Sequence, residues 1–194
     1  MITLKVLYMN DVINNNEHNL IWVDLEMTGL NPDKEHILEV AIVITDQKLN
    51  IIADDFDIIV YQPEENLRSM NDWVKDIHTK NGLLNLVPKS SIDLATAENS
   101  ALEFIQKHVA KQTSPMCGNS ICLDRRFLFR YMPRLEEYFH YRNLDVSTVK
   151  NLGLYWFPKK TKDFQKQDSL HRAKDDILQS ISELKFYREN LFVK

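Results

Sequence analysis

Two acids, Asp24 and Glu26, stand two residues apart at the end of the apolar run 20–25. On a strand, residues i and i+2 point to the same side. The two carboxylates therefore project together and repel, unless a cation, most simply a divalent metal, sits between them. The plainer alternative is a solvated strand end with two ordinary acids. A third acid, Asp124, ends the segment Asn119-Ser120-Ile121-Cys122-Leu123-Asp124, which follows a short apolar strand and opens a helix. It could converge with the first two at neighbouring strand ends, where α/β folds keep their sites, although an acid facing a helix N-terminus reads the same way. The segment 171–176, His-Arg-Ala-Lys-Asp-Asp, offers two more. Asp176 shares a helical face with Ala173, Ile177, Ser180, Leu184 and Tyr187, the inward stripe, whereas Asp175 lies toward Gln179 and Ser182. An inward carboxylate is costly without a partner, which selects Asp176 as the metal ligand and Asp175 as a surface acid. His171 stands at the helix start, and a histidine near a metal can take a proton from water around neutral pH.

The surrounding pattern must hold these groups. Residues 20–25 read as a buried strand, 37–45 as a second and 49–61 as a third, with Asp46-Gln47-Lys48 as a hairpin turn between the last two. Helices are expected over 71–80, over 93–111 with an amphipathic stripe, and over 124–138 with a break or kink at Pro133. Short strands at 115–118 and 143–146 flank that third helix, and Ser147 is placed to cap the helix that follows. Residues 156–168 read as a Lys-rich loop and 173–191 as the closing helix. Three consecutive strands followed by alternating helices and strands imply an α/β fold with a mixed sheet, antiparallel hairpins plus parallel strands, flanked by helices. Residues 1–19, polar and Asn-rich from 10 to 19, read as a flexible N-terminal extension. Residues 20–194 read as a single domain.

The bulk numbers narrow the function. The chain has 194 residues, 44% of them apolar, and a formal charge of −4. An acidic chain is poorly suited to tracking long nucleic acid, which needs many Lys and Arg against its phosphates. A nucleic-acid substrate is therefore expected to be short, with metal ions supplying positive charge locally, and long duplex is not an expected partner. No run of 18 apolar residues occurs, no membrane partner is expected, and the start lacks the pattern of a secretory signal. Cys117 and Cys122, spaced C-x4-C, read as reduced core thiols, and the expected location is cytoplasmic. Glu39, inside the apolar run 37–45, has no role that the sequence assigns. Arg126, Arg130 and Arg134 recur at helical spacing as a solvated face.

Taken in order, D-x-E at 24–26, N-x4-D at 119–124 and H-x4-D at 171–176 resemble the three motifs of the DEDDh (DnaQ-like) 3′→5′ exonucleases. The blocks WVDLEMTGL, GNSICLDRRFL, YFHYRNLDVST and HRAKDDI are further similar to the oligoribonuclease family, over residues 19–191. This resemblance implies a ribonuclease-H-like fold and hydrolysis from the 3′ end of very short RNA, dinucleotides especially, to nucleoside 5′-monophosphates. It implies two Mg²⁺ or Mn²⁺ ions on Asp24, Glu26, Asp124 and Asp176, with His171 as general base. It implies that Leu30 and Trp73 wedge or stack on the bases with His78 nearby. Ser120, Arg142 and Ser147 would hold the 5′ phosphate, and Tyr141 would reach over from the second subunit of a homodimer. Without it, Trp73 reads as ordinary core and Ser147 as a helix cap. Three other readings compete: a proofreading or DNA-trimming DEDDh exonuclease, a non-catalytic RNA-binding protein on the same fold, and an unrelated metal-binding phosphatase. The second predicts erosion of one of the four acids or the histidine, and none is missing.

Overall fold

A computed structural model describes residues 18–165 and 172–192. In chain order the elements are β1 (Leu20–Met27), β2 (Ile37–Thr45), β3 (Ile51–Ile59), α1 (Glu64–Leu67), α2 (Asp72–Lys80), α3 (Leu83–Leu86), α4 (Leu94–Gln106), β4 (Met116–Gly118), α5 (Cys122–Tyr131), α6 (Pro133–Glu136), β5 (Asn143–Asp145), α7 (Val146–Trp156), α8 (Pro158–Lys162) and α9 (Ala173–Asn190). Among the described residues the sheet has five strands in the order β3-β2-β1-β4-β5. β1, β2 and β3 pair antiparallel, while β4 runs parallel to both β1 and β5. This is the mixed sheet that the sequence implied.

β2 shows why the sheet is two-sided. All nine of its residues are buried, and a strand covered on both faces reads as a continuous apolar run rather than an alternating one. Alternation along β1 sorts the two faces. Ile21, Val23 and Leu25 join the core beneath α4 and α5, with Ala101, Ile105, Phe127 and Leu128. Trp22 points the other way, into the core shared with Ala173, Ile177, Ile181 and Tyr187 of α9. Its indole N–H donates to Thr45 Oγ1 at 3.0 Å, so this large side chain is buried without leaving its donor unmet. Truncating a side chain of that size costs about 3–5 kcal/mol. By the period of two, Asp24 and Glu26 follow Trp22 toward α9.

Several boundaries differ from the sequence reading, each for a visible reason. Asn19 belongs to the fold: it is buried, and its amide donates to the His108 carbonyl at 2.9 Å. Residues 1–17 of the expected extension lie outside the described residues. The helix over 122–136 is broken at Pro133, as expected, with Met132 at φ −137° between α5 and α6. The segment 156–168 is not all loop, because Pro158 opens α8, its fixed φ suiting the first helical turn; residues 166–168 lie outside the described residues. Ser147 does not cap α7. The cap is Asp145, whose carboxylate accepts from Ser147 N, and this leaves the Ser147 hydroxyl for another partner. Cys117 is a core thiol but Cys122 is exposed.

Candidate active site

The carboxylates gather where the sequence placed them. One oxygen each from Asp24, Glu26 and Asp176 lie within 4.8 Å of one another. β1 supplies the first two and the first turns of α9 the third, and Asp175 is exposed. Asp176 thus faces the cluster and Asp175 the solvent, as the helical phase implied. Asp124, on α5, comes from the opposite face of the sheet. Its Oδ1 accepts from the Leu25 backbone N–H at 3.1 Å, which ties the helix to the strand between the two β1 acids. A cavity of about 250 Å³ is lined by all four acids together with Leu30, Trp73, His78 and Ser120. His171 lies outside the described residues.

Like charges and burial set the electrostatics. Burial raises Asp24 well above the usual carboxylate range, and Asp124, Glu26 and Asp176 push the same way. Glu26 rises to about 9, first through burial and then through Asp176, Glu39 and Asp124, against an opposing pull from Arg172. Asp124 rises to about 7 through burial, partly offset by backbone hydrogen bonds. Asp24 and Glu26, forced together out of water, hold on to protons in the metal-free state, and exchanging those protons for a divalent cation relieves the repulsion. The donor set fits Mg²⁺ or Mn²⁺, which prefer oxygen ligands.

Glu39, left without a role by the sequence, explains how α9 is aimed. It faces Glu26 across the β1–β2 pair and is fully buried. Arg172 grips it in two directions, Nε reaching Oε1 at 2.9 Å and Oε2 at 3.0 Å, with Nη2 also on Oε1. Glu39 Oε2 further accepts from Ala173 N at 3.3 Å, so a strand residue caps the helix that bears Asp176. Asp57 on β3 joins this group; burial first and Glu39 second raise it to about 6. A charged residue inside an apolar strand was the available signal, but its partner lies more than a hundred positions away.

The rim is held as firmly. The turn after β1 presents Leu30, which is 69% exposed. Thr28 Oγ1 donates to Glu35 Oε2 at 2.5 Å, and Tyr131 Oη donates to the Glu35 carbonyl at 2.7 Å. A Cβ at Gly29 would stand 2.8 Å from Glu35 Cδ, so a larger residue there would displace the Glu35 side chain from Thr28. Trp73, at 72% exposure, is not core. It rides on α2, whose cap Asn71 accepts from Val74 N. His78, on the same helix, is buried and donates from Nε2 to the Met27 carbonyl at 3.0 Å, which turns Nδ1 toward Glu26 at 3.9 Å.

Ser120 sits just past β4 at φ +52°, a conformation that non-glycine residues avoid and that tends to mark functional turns. Its N–H reaches Asp145 Oδ1 at 2.8 Å and Ser147 Oγ at 3.0 Å, and the two serine hydroxyls lie 3.1 Å apart. The Ser147 hydroxyl donates to Asn119 Oδ1 at 3.0 Å, while the Asn119 amide donates to Ser180 and Glu183 of α9. Ser120 and Ser147 are thus brought together and tied to α9. Tyr141 and Arg142 are not part of the cavity lining. They project from the segment before β5, with the Arg142 guanidinium 5.3 Å from the centre of the Tyr141 ring.

A family model described as Exonuclease matches residues 21–184. An oligoribonuclease of Nitrosomonas europaea is 53% identical over 175 residues, covering 90% of this chain and 96% of that protein. Oligoribonucleases of Pseudomonas aeruginosa PAO1 and Vibrio parahaemolyticus are 51% and 52% identical, covering 92% and 91% of this chain and 98% and 97% of theirs. Among solved structures, exonuclease I of E. coli in complex with an oligonucleotide superposes with a TM-score of 0.66 at 11% identity, and that of Methylocaldum szegediense with 0.67 at 15%. Both comparisons cover 90% of this chain and 41% of the longer exonuclease I chains, so they establish the shared ribonuclease-H-like fold. With half of its residues identical to these relatives over nearly their whole length, the chain belongs to the oligoribonuclease family of metal-dependent exonucleases.

Proposed function

We propose that this protein is a 3′→5′ exoribonuclease that hydrolyses very short RNA, dinucleotides above all, to nucleoside 5′-monophosphates. The observation that carries the reading is the convergence of Asp24, Glu26 and Asp176 within 4.8 Å, in a cavity rimmed by exposed Leu30 and Trp73. Asp24, Glu26, Asp124 and Asp176 would hold two divalent ions, Mg²⁺ or Mn²⁺. When bound, these would neutralise the carboxylates, polarise the scissile phosphate and stabilise charge on the departing oxygen. His171, from the motif resemblance, removes a proton from the attacking water. Trp73 and Leu30 orient the bases, stacking on an aromatic being worth about 1–3 kcal/mol. His78, on the same helix as Trp73, lines the cavity beside them. Ser120, Ser147 and Arg142 take the 5′ phosphate, Arg142 through its planar fork. Tyr141, 73% exposed, is offered to the site of a second copy in a homodimer.

Size and charge favour a short substrate. The cavity of about 250 Å³ falls just below the range usual for ligand sites, roughly 300–1,000 Å³. A chain of net charge −4 gives a long strand little to hold elsewhere. Among the described residues no helix is long and apolar enough to cross a membrane; the cytoplasm is the setting this reading takes from the sequence. Digestion of 5′-labelled RNAs of two to seven nucleotides, with and without divalent metal, tests the proposal. The expected result is metal-dependent cleavage in which the 5′-phosphorylated dinucleotide reacts far faster than the heptamer, and in which Arg142→Ala erases most of the difference. Equal rates at every length would leave a generic exonuclease.

A further inference from the structure

Arg125 follows Asp124 on α5 but does not line the cavity. Its side chain, 18% exposed, donates from Nε to Glu136 Oε1 at 2.8 Å. Its Nη1 lies 3.2, 3.1 and 3.4 Å from the carbonyl oxygens of His140, Tyr141 and Arg142, and 2.8 Å from Asn143 Oδ1. Two N–H groups are shared among four acceptors, so three consecutive peptide units curl around one guanidinium. The other flank is held too: His140 N donates to the Ser114 carbonyl at 2.8 Å, and Met116 N to the Arg142 carbonyl at 3.3 Å. Only the side chains of Tyr141 and Arg142 are left pointing outward from a backbone fixed on both sides.

We propose that Arg125 is the positioning residue for substrate length. Gripping residues 140–142 from the helix that bears Asp124, it fixes how far Arg142 stands from the carboxylate cluster of its own site, and how Tyr141 is offered to a second copy. That separation sets how many nucleotides fit between the metals and the 5′ phosphate. The inference rests on the function proposed above. A guanidinium is suited to the task because its planar fork can serve Glu136 on one edge and several carbonyls on the other, whereas an ammonium on a flexible stem cannot.

The test uses the full chain with Arg125→Met and Arg125→Lys. Three substrates are compared: a 5′-phosphorylated dinucleotide, a heptanucleotide, and thymidine 5′-p-nitrophenyl phosphate, which has no 5′-terminal phosphate group to meet Arg142. For Arg125→Met the ratio of kcat/KM between dinucleotide and heptanucleotide falls by at least about tenfold, mostly through KM of the dinucleotide. Turnover of the nitrophenyl ester stays within about twofold of the parent. Should circular dichroism show Arg125→Met unfolded, Arg125→Lys, which keeps the charge beside Glu136, carries the test with an expected fall of about threefold. An unchanged ratio in a parent that does prefer the dinucleotide overturns the proposal alone. A parallel loss on all three substrates also overturns it, by making Arg125 merely structural. A parent with no length preference overturns the proposed function, and the role of Arg125 with it.

Discussion

Replacing Glu26 by Gln should make the metal-free protein more stable, increasingly so as pH rises. Glu26 holds its proton up to about pH 9, against an ordinary value of 4.5. Below 4.5 folded and unfolded chains both carry the proton, and it has no effect on stability. Above 4.5 the unfolded chain releases it while the folded chain keeps it, so each pH unit costs the fold about 1.4 kcal/mol until the loss levels off near 9. At pH 7 the accumulated cost is of order 3 kcal/mol. Gln keeps the shape without titrating and avoids that cost. In a chain of this size 1 kcal/mol is worth about 2–4 °C, so the variant should melt as much as roughly 6–12 °C higher at pH 7. The gap should vanish near pH 4.5 and widen toward pH 9. Thermal unfolding in chelator across that range measures it. Mg²⁺ should raise the melting point of the parent more at high pH, because the ion competes with the proton. A gap that is flat with pH, or a variant that melts lower, would refute the electrostatic account of the cluster.

The two aspartates at the start of α9 should separate cleanly: Asp176→Ala abolishes hydrolysis, while Asp175→Ala retains it within about twofold, and the opposite pattern in a cleavage assay contradicts the helical phase. His171→Ala should lower kcat by roughly 10²–10⁴ with KM little changed; single-turnover kinetics showing less than a tenfold loss removes it from proton transfer. Breaking the buried pair by Glu39→Ala should cost about 3–5 kcal/mol in urea unfolding, whereas Glu39→Leu combined with Arg172→Leu recovers much of that stability. Sedimentation at working concentration should show a dimer, and Tyr141→Ala should weaken dinucleotide turnover in both of its sites equally; a fully active monomer contradicts the shared site.

What the sequence made legible was local and periodic. The antiparallel hairpin of β2 and β3 was visible because the polar Asp46-Gln47-Lys48 interrupts two apolar runs; in the structure Asn50 N donates back to the Asp46 carboxylate at 2.8 Å. The separation of Asp176 from Asp175 needed only the 3.6-residue period. The convergence of Asp24, Glu26 and Asp176 needed their order along the chain and a prior expectation of the fold. What stayed hidden was long-range: Glu39 with Arg172, and Arg125 with the carbonyls of 140–142, pair side chains with partners that no spacing rule connects. Ser147 misled as a cap because the helix starts earlier: Asp145 is the cap and accepts from the Ser147 N–H, which places Ser147 inside the first turn. Short elements such as α1, α3 and α8 were missed because four or five residues are too few to show a period.

The contribution of α9 has a bearing on how the protein is made. β1 delivers Asp24 and Glu26 early, but Asp176 and the Glu39–Arg172 clamp that aims it arrive only with the last helix. Domains generally fold as units during synthesis, the N-terminal part emerging first. A growing chain therefore has its strands, a hairpin and three of the four acids around the cavity, yet not the Asp176 that closes the cluster. On this reading, a chain broken off before α9 would carry the strands of the sheet and still lack a complete site for the ions.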